Sequence, residues 1–287
     1  MSYYSCSATS SSLEAYDLQD VENVFELQNV SYSYSENHSA LTNISMVVRA
    51  GESIAILGAN GSGKSTLLKI LCGLIFASSG TTKAFGSALS EAGMELNRSE
   101  FARYFRRRVG MVFQDADSQL FSPVVWEEVS FAPLQLGLPE EEVQNRVNES
   151  LNLLGIPHLK NRSPQTLSEG EKRKVALASV LSLSPDVLLL DEPSSDLDPR
   201  TRVWLSGFLN ELHSAGKTII TATHDLELAA DTSDHCIILN EQHGIAGAGP
   251  TAEMLNNWNL LLDANLVHIH AHRHGQVLHT HPHAHSE

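Results

Sequence analysis

The sequence predicts an α/β fold with a mostly parallel β-sheet and helices on both of its faces. Four short apolar strands are predicted: Ile54–Leu57 and one strand each within "DVLLLDEP", "KTIITATHD" and "HCIILNE", where a polar residue follows at the C-terminal end of the strand. Strands of this kind are typical of a parallel sheet that is covered on both faces. A glycine-rich loop joins the first of them to a helical pattern of leucines, as expected of a strand–loop–helix unit. The leucines of that pattern are Leu67, Leu68, Leu71 and Leu74.

The region before the first apolar strand has two parts. Residues 1–23 are rich in serine and contain neither the basic nor the apolar segment of a secretory signal, so we expect a disordered extension. From Phe25 to Val48, two runs of alternating apolar and polar residues flank the polar segment "SENHS". This pattern predicts a pair of antiparallel strands, which would begin an antiparallel β-subdomain in a domain of residues 24–245.

Helical patterns dominate the middle of the chain and recur near its end. A small helical subdomain is expected at about residues 115–170, where "PEEEVQNRVNESLNLLGI" begins with proline and acidic residues, as helix N-termini prefer. The segment "GPTAEMLNNWNLLLDANL" predicts a short helix after a Gly-Pro turn, within residues 246–265. Residues 266–287 then form a tail rich in histidine.

Composition excludes several classes of function. The formal net charge is −15, from 19 Lys and Arg against 34 Asp and Glu, and would repel a phosphate backbone, so no nucleic-acid partner is expected. Three scattered cysteines are too few for a disulfide framework or a thiolate cage. The interior apolar runs are far shorter than the roughly 18–20 residues that span a bilayer. Work at a membrane would therefore require another chain.

The segment "GANGSGKST" matches the phosphate-binding pattern G-x-x-x-x-G-K-[ST], with an apolar strand before it and a helix after it. Backbone N–H groups of such a loop surround a β-phosphate, Lys64 reaches the β- and γ-oxygens, and the Ser65 hydroxyl is placed for Mg²⁺. The candidate phosphate-binding residues are Gly58, Ala59, Asn60, Gly61, Ser62, Gly63, Lys64, Ser65 and Thr66.

Two further apolar strands end in residues that complete a nucleotide site. Asp191 follows "VLLL" and is placed to hold Mg²⁺, and Glu192, directly after it, is placed to orient or deprotonate an attacking water. His224 in "TATHD" ends another strand, where it either contacts the γ-phosphate or has a structural role. The sequence therefore predicts a nucleotide-hydrolysing site at these strand ends.

The segment "LSEGEKRKVALASVL" predicts a helix whose start is closed by a capping box between Ser168 and Glu171. The same helix N-terminus, with the Ser168 hydroxyl and the backbone N–H of Gly170, is also suited to bind a phosphate. Structural and functional interpretations share these residues.

Taken in order, these motifs resemble those of the ATP-binding subunits of ABC transporters over about residues 24–245, with a RecA-like P-loop fold. The resemblance identifies Gly58–Ser65 as the Walker A motif, Leu167–Glu171 as the signature, and Asp191 with Glu192 as the Walker B motif. It implies ATP and Mg²⁺, with Ser65, Gln114 and Asp191 as the Mg²⁺ ligands. The remaining assignments are Gln114 in the Q-loop, Asp198 at the end of the D-loop and His224 as the switch histidine; Glu192, His224 and Gln114 are the catalytic residues that it implies.

Four positions need comment beside this resemblance. The family's usual signature is LSGGQ, whereas this chain has LSEGE, with Glu169 in place of a glycine and Glu171 in place of the glutamine. Asp196 also occupies a D-loop position where a small residue is commoner. Since Ser168 and Gly170 are retained, we expect function to be retained. Tyr34 resembles the aromatic residue on which adenine stacks, although its pattern alone also fits a simple strand aromatic.

The resemblance also implies partners and a location. Two ATP-binding subunits, identical or paralogous, would enclose two ATPs, with Ser168, Gly170 and Asp198 of one completing the site of the other. Integral-membrane coupling and substrate-binding subunits would dock beside the Q-loop, which places the chain on the cytoplasmic face of the plasma membrane. The stretch "VFQDADSQLFSPVVWEEVSFAPLQLGLP" resembles that of energy-coupling-factor importers of cobalt, nickel or vitamins. The basic segment Arg103–Arg108 either is a solvated surface or approaches an acidic lipid or partner.

The tail "HIHAHRHGQVLHTHPHAH" alternates histidine with other residues, unlike the unbroken run of a purification tag. Imidazole binds Ni²⁺, Co²⁺, Cu²⁺ and Zn²⁺ well, so the tail favours nickel or cobalt over a vitamin as cargo. If Gly275 and Gln276 form a two-residue hairpin turn, three histidine pairs face each other across the strands; a disordered tail that binds metal loosely is the alternative. The candidate metal ligands are His268, His270, His272, His274, His279, His281, His283 and His285.

Two other classes of function fit less well. A nickel-insertion GTPase chaperone can combine a P-loop with histidines, but this chain has no N-K-x-D segment to recognise guanine. An ABC ATPase of the DNA-repair or chromosome type would insert a long coiled coil, yet Leu167 follows Gln114 by about 53 residues (167 − 114). The expected function is thus an ATPase that powers a nickel or cobalt importer, with a vitamin importer carrying a metal-regulated tail as the alternative.

Overall fold

The structure is a computed structural model that describes residues 23–35, 38–94, 100–274 and 277–284, and from residue 268 onwards it describes the backbone alone. The expected N-terminal extension, the proposed Gly275–Gln276 turn and His285 lie outside the described residues, Asn23 excepted. Within the described ranges, no helix combines the length and apolarity needed to cross a bilayer.

Twelve strands and eleven α-helices make up the described part of the chain. The strands are β1 (Asn23–Ser35), β2 (His38–Arg49), β3 (Ser53–Leu57), β4 (Ser79–Ala84), β5 (Ser87–Ala88), β6 (Val109–Val112), β7 (Val187–Asp191), β8 (Thr218–Thr223), β9 (His235–Leu239), β10 (Ile245–Pro250), β11 (Val267–His274) and β12 (Val277–Ala284). The helices are α1 (Lys64–Leu71), α2 (Glu91–Met94), α3 (Glu100–Arg108), α4 (Ala116–Gln119), α5 (Val125–Gln135), α6 (Glu140–Leu153), α7 (Glu169–Leu181), α8 (Pro199–Ser214), α9 (Leu226–Thr232), α10 (Thr251–Leu255) and α11 (Trp258–Asp263).

The central sheet has the strand order β10-β9-β3-β8-β7-β6, and all of its strands except β10 run parallel. Successive residues of a strand face opposite sides of the sheet. In β3, Ile54 and Ile56 join the core beneath α1 and the antiparallel sheet, whereas Ala55 and Leu57 join a second core beneath α9 and α11. Because both faces are covered, the strand is completely buried, as the sequence predicted.

The strand register brings the chemistry-bearing segments to one edge of this sheet. Leu57 pairs with Thr223, Asp191 pairs with Ala222, and Leu190 pairs with Val112. The carboxyl ends of β3, β8, β7 and β6 therefore lie side by side. The glycine-rich loop, His224, Glu192 and Gln114 all follow directly from these ends, which is where open α/β sheets bind ligands.

Two layers flank the central sheet. The predicted strand pair is confirmed: β1 and β2 are antiparallel, and β4 and β5 extend them into a four-stranded sheet. On the other side, α5, α6, α7 and α8 enclose a separate apolar core that contains Val129, Val147, Val175 and Leu205. The fold class inferred from the sequence is thus the one observed.

Three local features differ from expectation or were missed. Gly249 and Pro250 end strand β10 instead of forming a turn, and two short helices follow instead of one. Helix α1 ends at Leu71, since Gly73 adopts a left-handed φ of +68°, so Leu74 lies beyond the helix and is exposed. Strand β6 is an additional parallel strand at the edge of the sheet.

The basic segment Arg103–Arg108 lies entirely on α3, and some of its side chains contact the rest of the fold. Arg108 forms an ion pair with Asp186 at 3.3 Å and lies over the ring of Tyr104. Arg106 donates a hydrogen bond to the carbonyl of Met94. These contacts favour the interpretation of a structural and solvated surface.

The described cysteines are not placed for chemistry. Burial raises the pKa of the Cys72 thiol to about 12 and that of Cys236 to about 11, and neither forms a disulfide. A thiol with so high a pKa is protonated and a poor nucleophile or metal ligand. Cys6 lies outside the described residues.

Candidate active site

The glycine-rich loop is held in its shape by backbone positions that only glycine can occupy. Gly63 has a φ of +107°, and a Cβ atom built there would lie 2.3 Å from the carbonyl oxygen of Ala40 in β2. Both facts exclude a side chain at this position. The antiparallel sheet thus packs directly against the start of α1, and any larger residue would displace the loop.

The Lys64 side chain is buried and folds back over the loop. Its Nζ donates hydrogen bonds to the carbonyls of Gly58 (2.7 Å) and Ala59 (3.3 Å). The same Nζ lies 3.1 Å from Oε1 of Glu192, and both side chains are only 6% exposed. Lys64 therefore neutralises Glu192 within the site, with little screening by water.

The two carboxylates at the end of β7 have different surroundings. Ser65 Oγ donates to Asp191 Oδ1 at 3.0 Å. Burial, opposed by this hydrogen bond and reinforced by the charge of Glu192, raises the pKa of Asp191 above its ordinary value. Burial thus disfavours the charged form of this carboxyl, and a cation placed there would stabilise that form.

Glu192 is fixed by several donors. Its Oε2 accepts hydrogen bonds from Thr223 Oγ1 at 3.0 Å and from the backbone N–H of His224 at 3.3 Å, and it lies 3.0 Å from His224 Nδ1. Glu192 also has a φ of +43°, a left-handed conformation that is uncommon for a residue with a side chain. The sequence analysis did not identify Thr223 as a site residue. Its position at the end of a strand, directly before His224, is the feature that could have indicated it.

Tyr34 lies beside the start of α1. Its hydroxyl is 3.2 Å from Thr66 Oγ1, and its ring meets that of Tyr32 edge-on with centroids 5.0 Å apart. The residue as a whole is 57% exposed. The exposed ring next to the phosphate-binding loop is available for stacking with a planar ligand.

The capping box predicted at the start of α7 is confirmed. Glu171 Oε2 accepts from the backbone N–H of Ser168 (2.9 Å), and Ser168 Oγ accepts from the backbone N–H of Glu171 (3.4 Å). Hydrogen bonds from the Ser168 backbone and then its side chain hold the pKa of Glu171 below its ordinary value. The Glu171 carboxylate is therefore held by Ser168 and stabilises the start of α7.

The other acidic residue of this motif is also paired. Lys172 Nζ lies 2.9 Å from Glu169 Oε1 and 2.7 Å from Asp117 Oδ1. Next to it, the Arg173 guanidinium donates to the carbonyls of Phe113 (2.9 Å) and Gln114 (2.7 Å). Helix α7 is thereby tied to the segment around Gln114 by two cations that sequence reasoning missed, since only the fold brings these segments together.

The predicted site residues divide into two groups. Those of the loop Gly58–Thr66 meet Asp191, Glu192 and His224 through the contacts above. Ser168, Gly170 and Asp198 instead line a separate groove between α7 and α8, and no residue of the loop Gly58–Thr66 lines it. Gln114 lines an adjoining cleft with Glu169, Arg173 and Asp196. A single chain thus presents two separate sets of candidate nucleotide-binding groups.

Comparison with known proteins agrees with this arrangement. Residues 41–195 match the family model described as ABC transporter. An ABC transporter ATP-binding protein of Methanosarcina acetivorans is 51% identical over 254 residues, covering 88% of this chain and 92% of the relative. The nickel import ATP-binding protein NikO of Rhodobacter capsulatus is 45% identical over 246 residues, covering 85% and 95% respectively.

Solved structures agree as well. The structure of cbiO1 from Clostridium perfringens, part of the ABC transporter complex cbiONQ, superposes with a TM-score of 0.72 at 35% identity, covering 85% of this chain and 95% of that one. Matches of this extent show the family as well as the fold. The chain is therefore an ATPase that belongs to the family of ABC transporter ATP-binding proteins.

Proposed function

We propose that this chain hydrolyses ATP together with a second ATP-binding subunit and thereby powers a membrane importer of nickel or cobalt ions. The observation that carries the ATPase part is the convergence of Lys64, Ser65, Asp191, Glu192 and His224 at one edge of the sheet. The cargo is supported by the 45% identity to a nickel import protein and by the histidine-rich tail. In such a complex the chain lies on the cytoplasmic face of the membrane.

The site fits MgATP. Ser62 Oγ, within the glycine-rich loop, is buried without a hydrogen-bond partner, as expected of a group that a phosphate oxygen would satisfy. Ser65 and Asp191 supply the hard oxygen ligands that Mg²⁺ prefers, and Gln114 is the third candidate ligand. When bound, Mg²⁺ neutralises charge on the β- and γ-phosphate oxygens. Tyr34 is assigned to adenine stacking and the Gly58–Thr66 loop to the phosphates.

Glu192 is assigned as the group that receives the proton of the attacking water. A polyphosphate entering the loop competes for Lys64, so Lys64 exchanges Glu192 for phosphate oxygens and leaves Oε1 of Glu192 free to accept that proton. The water oxygen then bonds to the γ-phosphorus as the bond to the β-phosphate oxygen breaks, giving ADP and phosphate. Thr223 and His224 hold Oε2 in place throughout, and His224 is the candidate sensor of the γ-phosphate.

The second ATP-binding subunit is needed because this chain holds its two sets of groups apart. Ser168, Gly170 and Asp198 lie in their own groove, and the helix start at Ser168 is suited to bind a phosphate. We assign these residues to the ATP held by the Gly58–Thr66 loop of the other subunit, whether a second copy or a paralogue.

An exposed apolar patch formed by Phe121, Phe131 and Leu134 is the proposed docking surface for a helix of an integral-membrane subunit. These side chains are 66%, 43% and 53% exposed, and the two phenylalanine rings meet edge-on at 4.9 Å. Buried Glu128 fixes the segment by accepting the backbone N–H of Phe121. Gln119, two residues before Phe121, accepts the backbone N–H of Phe113, which directly precedes the Q-loop residue Gln114.

Replacing Phe121 by aspartate should uncouple the ATPase from transport. We expect binding to the membrane subunits to weaken at least about tenfold, as for loss of an apolar anchor, while ATP hydrolysis by the isolated subunits is retained. Val203→Asp is the matched control, because Val203 is 75% exposed on α8 and lies outside the patch. Equal loss of binding in both variants, measured by co-purification, would contradict the assignment.

The transport proposal is tested with the complete complex. We expect ATP-dependent accumulation of Ni²⁺ or Co²⁺ in vesicles that carry this chain and its membrane subunits, with the ATPase domain and ATP enclosed in the lumen. Failure to accumulate either metal, in vesicles whose ATPase is active, would remove the cargo assignment and favour a vitamin. Inactive ATPase under the same conditions would instead contradict the assignment of the nucleotide site.

A further inference from the structure

Strands β11 and β12 form a two-stranded antiparallel sheet whose register places histidines opposite each other. His268 pairs with His283, His270 with His281, and His272 with His279. This is the pairing expected from the sequence if the turn has two residues, and in each pair the residue numbers sum to 551. Directly opposed residues of an antiparallel pair share a face, and so do alternate residues along a strand. All six histidines therefore occupy one face of the hairpin.

We propose that this face is a binding site for a late first-row divalent metal ion, built from the facing histidine pairs His268/His283, His270/His281 and His272/His279. The site is independent of the cargo assignment, because it rests on the register of this hairpin alone. Among the side chains that the structure describes, which end at Val267, no group of three or more His, Cys, Asp or Glu is arranged to hold a metal ion.

The spacing of the pairs suits metal coordination. Opposed residues have Cβ atoms about 4.5–5.5 Å apart, so two imidazoles of one pair can share an ion that they bind at about 2.0–2.1 Å. Two adjacent pairs together provide four imidazoles, which is a complete set for a four-coordinate ion. The three successive pairs offer one such site, and the pair left over binds more weakly.

The chemistry of the segment selects the ion. Residues 267–284 contain no Asp or Glu, and Arg273 is their only Lys or Arg. Neutral imidazoles bind Ni²⁺, Co²⁺, Cu²⁺ and Zn²⁺ well and the hard ion Mg²⁺ poorly. The Mg²⁺ that accompanies ATP therefore does not compete for this site.

The base of the hairpin is anchored in the protein core, whereas its outer part would be stabilised by a bound ligand. Leu266 and Val267, at its root, are buried in the core that contains Leu57 and Leu261. Beyond the root, an isolated two-stranded hairpin is marginally stable in water, and Pro282 in β12 contributes no N–H. Because metal binding and folding are coupled, an ion held between the strands would stabilise them.

Replacing the central histidine pair, His270/His281, tests the proposed metal site. His270/His281 is adjacent to both other pairs, so every site built from two complete pairs includes it. His274 shares this face and adds at most a third imidazole to the His272/His279 pair. Without the central pair, the outer pairs are four residues apart along β11, or about 13 Å, and cannot share one ion. In the full chain we therefore expect His270→Ala/His281→Ala to lower the affinity for Co²⁺ at least tenfold and to weaken the visible absorption of four-coordinate Co²⁺, because no two complete pairs remain adjacent.

A transplanted pair is the matched control. Ala271 and Thr280 also face each other, but on the opposite side of the hairpin. Adding Ala271→His/Thr280→His to the central-pair variant restores the number of imidazoles without restoring the site. We expect affinity and absorption to stay low in this four-substitution variant. Recovery of wild-type affinity, or six-coordinate Co²⁺ bound equally by all three proteins, would overturn the proposal in favour of loose binding that depends on composition alone.

Discussion

Glu192→Gln is expected to reduce ATP turnover by about 10²–10⁴-fold, the usual contribution of a general base, while ATP binding is retained or strengthened. Glutamine keeps the shape of the side chain but does not accept the proton of the water. It also removes the charge that pairs with Lys64 at 3.1 Å, so the lysine becomes free for phosphate. Single-turnover hydrolysis and ATP affinity, measured on the same preparation, separate the two effects.

The matched control for this change is Glu211→Gln. Glu211 is exposed on α8 and undergoes the same chemical substitution away from the site. We expect its turnover to equal that of the wild type. Turnover near the wild-type rate in Glu192→Gln would exclude Glu192 as the base, and loss of ATP binding in that variant would contradict the exchange of partners proposed for Lys64.

Ser168→Asp is expected to reduce turnover by about 10²–10³-fold, comparable to loss of a donor to a transition-state oxygen, without weakening ATP binding to the isolated subunit. Aspartate caps helices about as well as serine, but it loses the hydrogen bond that Ser168 Oγ donates to Glu171 Oε2 at 2.9 Å, so circular dichroism should confirm that the start of α7 is retained. Aspartate at this position also places a negative charge where the γ-phosphate of the ATP held by the second subunit is proposed to bind. The separation of binding from turnover follows because Ser168 lies outside the groups around Lys64.

Ser90→Asp is the control for adding a carboxylate at a helix start. Ser90 Oγ accepts the backbone N–H of Gly93 at the beginning of α2, and Ser90 is exposed. We expect no change in turnover for this variant. If Ser168→Asp lowers ATP affinity of the isolated subunit as much as it lowers turnover, then Ser168 acts within its own chain and the proposed sharing of sites between subunits is wrong.

Local sequence patterns predicted the parts of the fold that depend on local chemistry. The apolar runs of β3, β7, β8 and β9 and the capping box at Ser168 needed no tertiary information. Strand β10 was missed because its sequence, "IAGAGP", alternates small residues and lacks a clear apolar face. Its place in the sheet depends on pairing with β9, which begins at His235 and is far more apolar.

The candidate site was predictable where residues follow strand ends and unpredictable where distant segments meet. The order of the strands brings Asp191 to Ser65 across 126 positions, and motif spacing anticipated that contact. The pairing of Lys172 with Asp117 and Glu169 was not anticipated. The contact with Asp117 depends on how α7 packs against α4, whereas Glu169 lies three residues from Lys172 on the same helix.

The left-handed backbone conformation at Glu192 lowers stability at the residue that we assign as the base. A non-glycine residue in this conformation costs about 1–3 kcal/mol, which the surrounding sheet must offset. Glycine would relieve that cost and yet remove the carboxylate assigned to the water. Selection for a more heat-resistant protein alone would therefore tend to erase this residue, and its presence supports the role as base that we propose for Glu192.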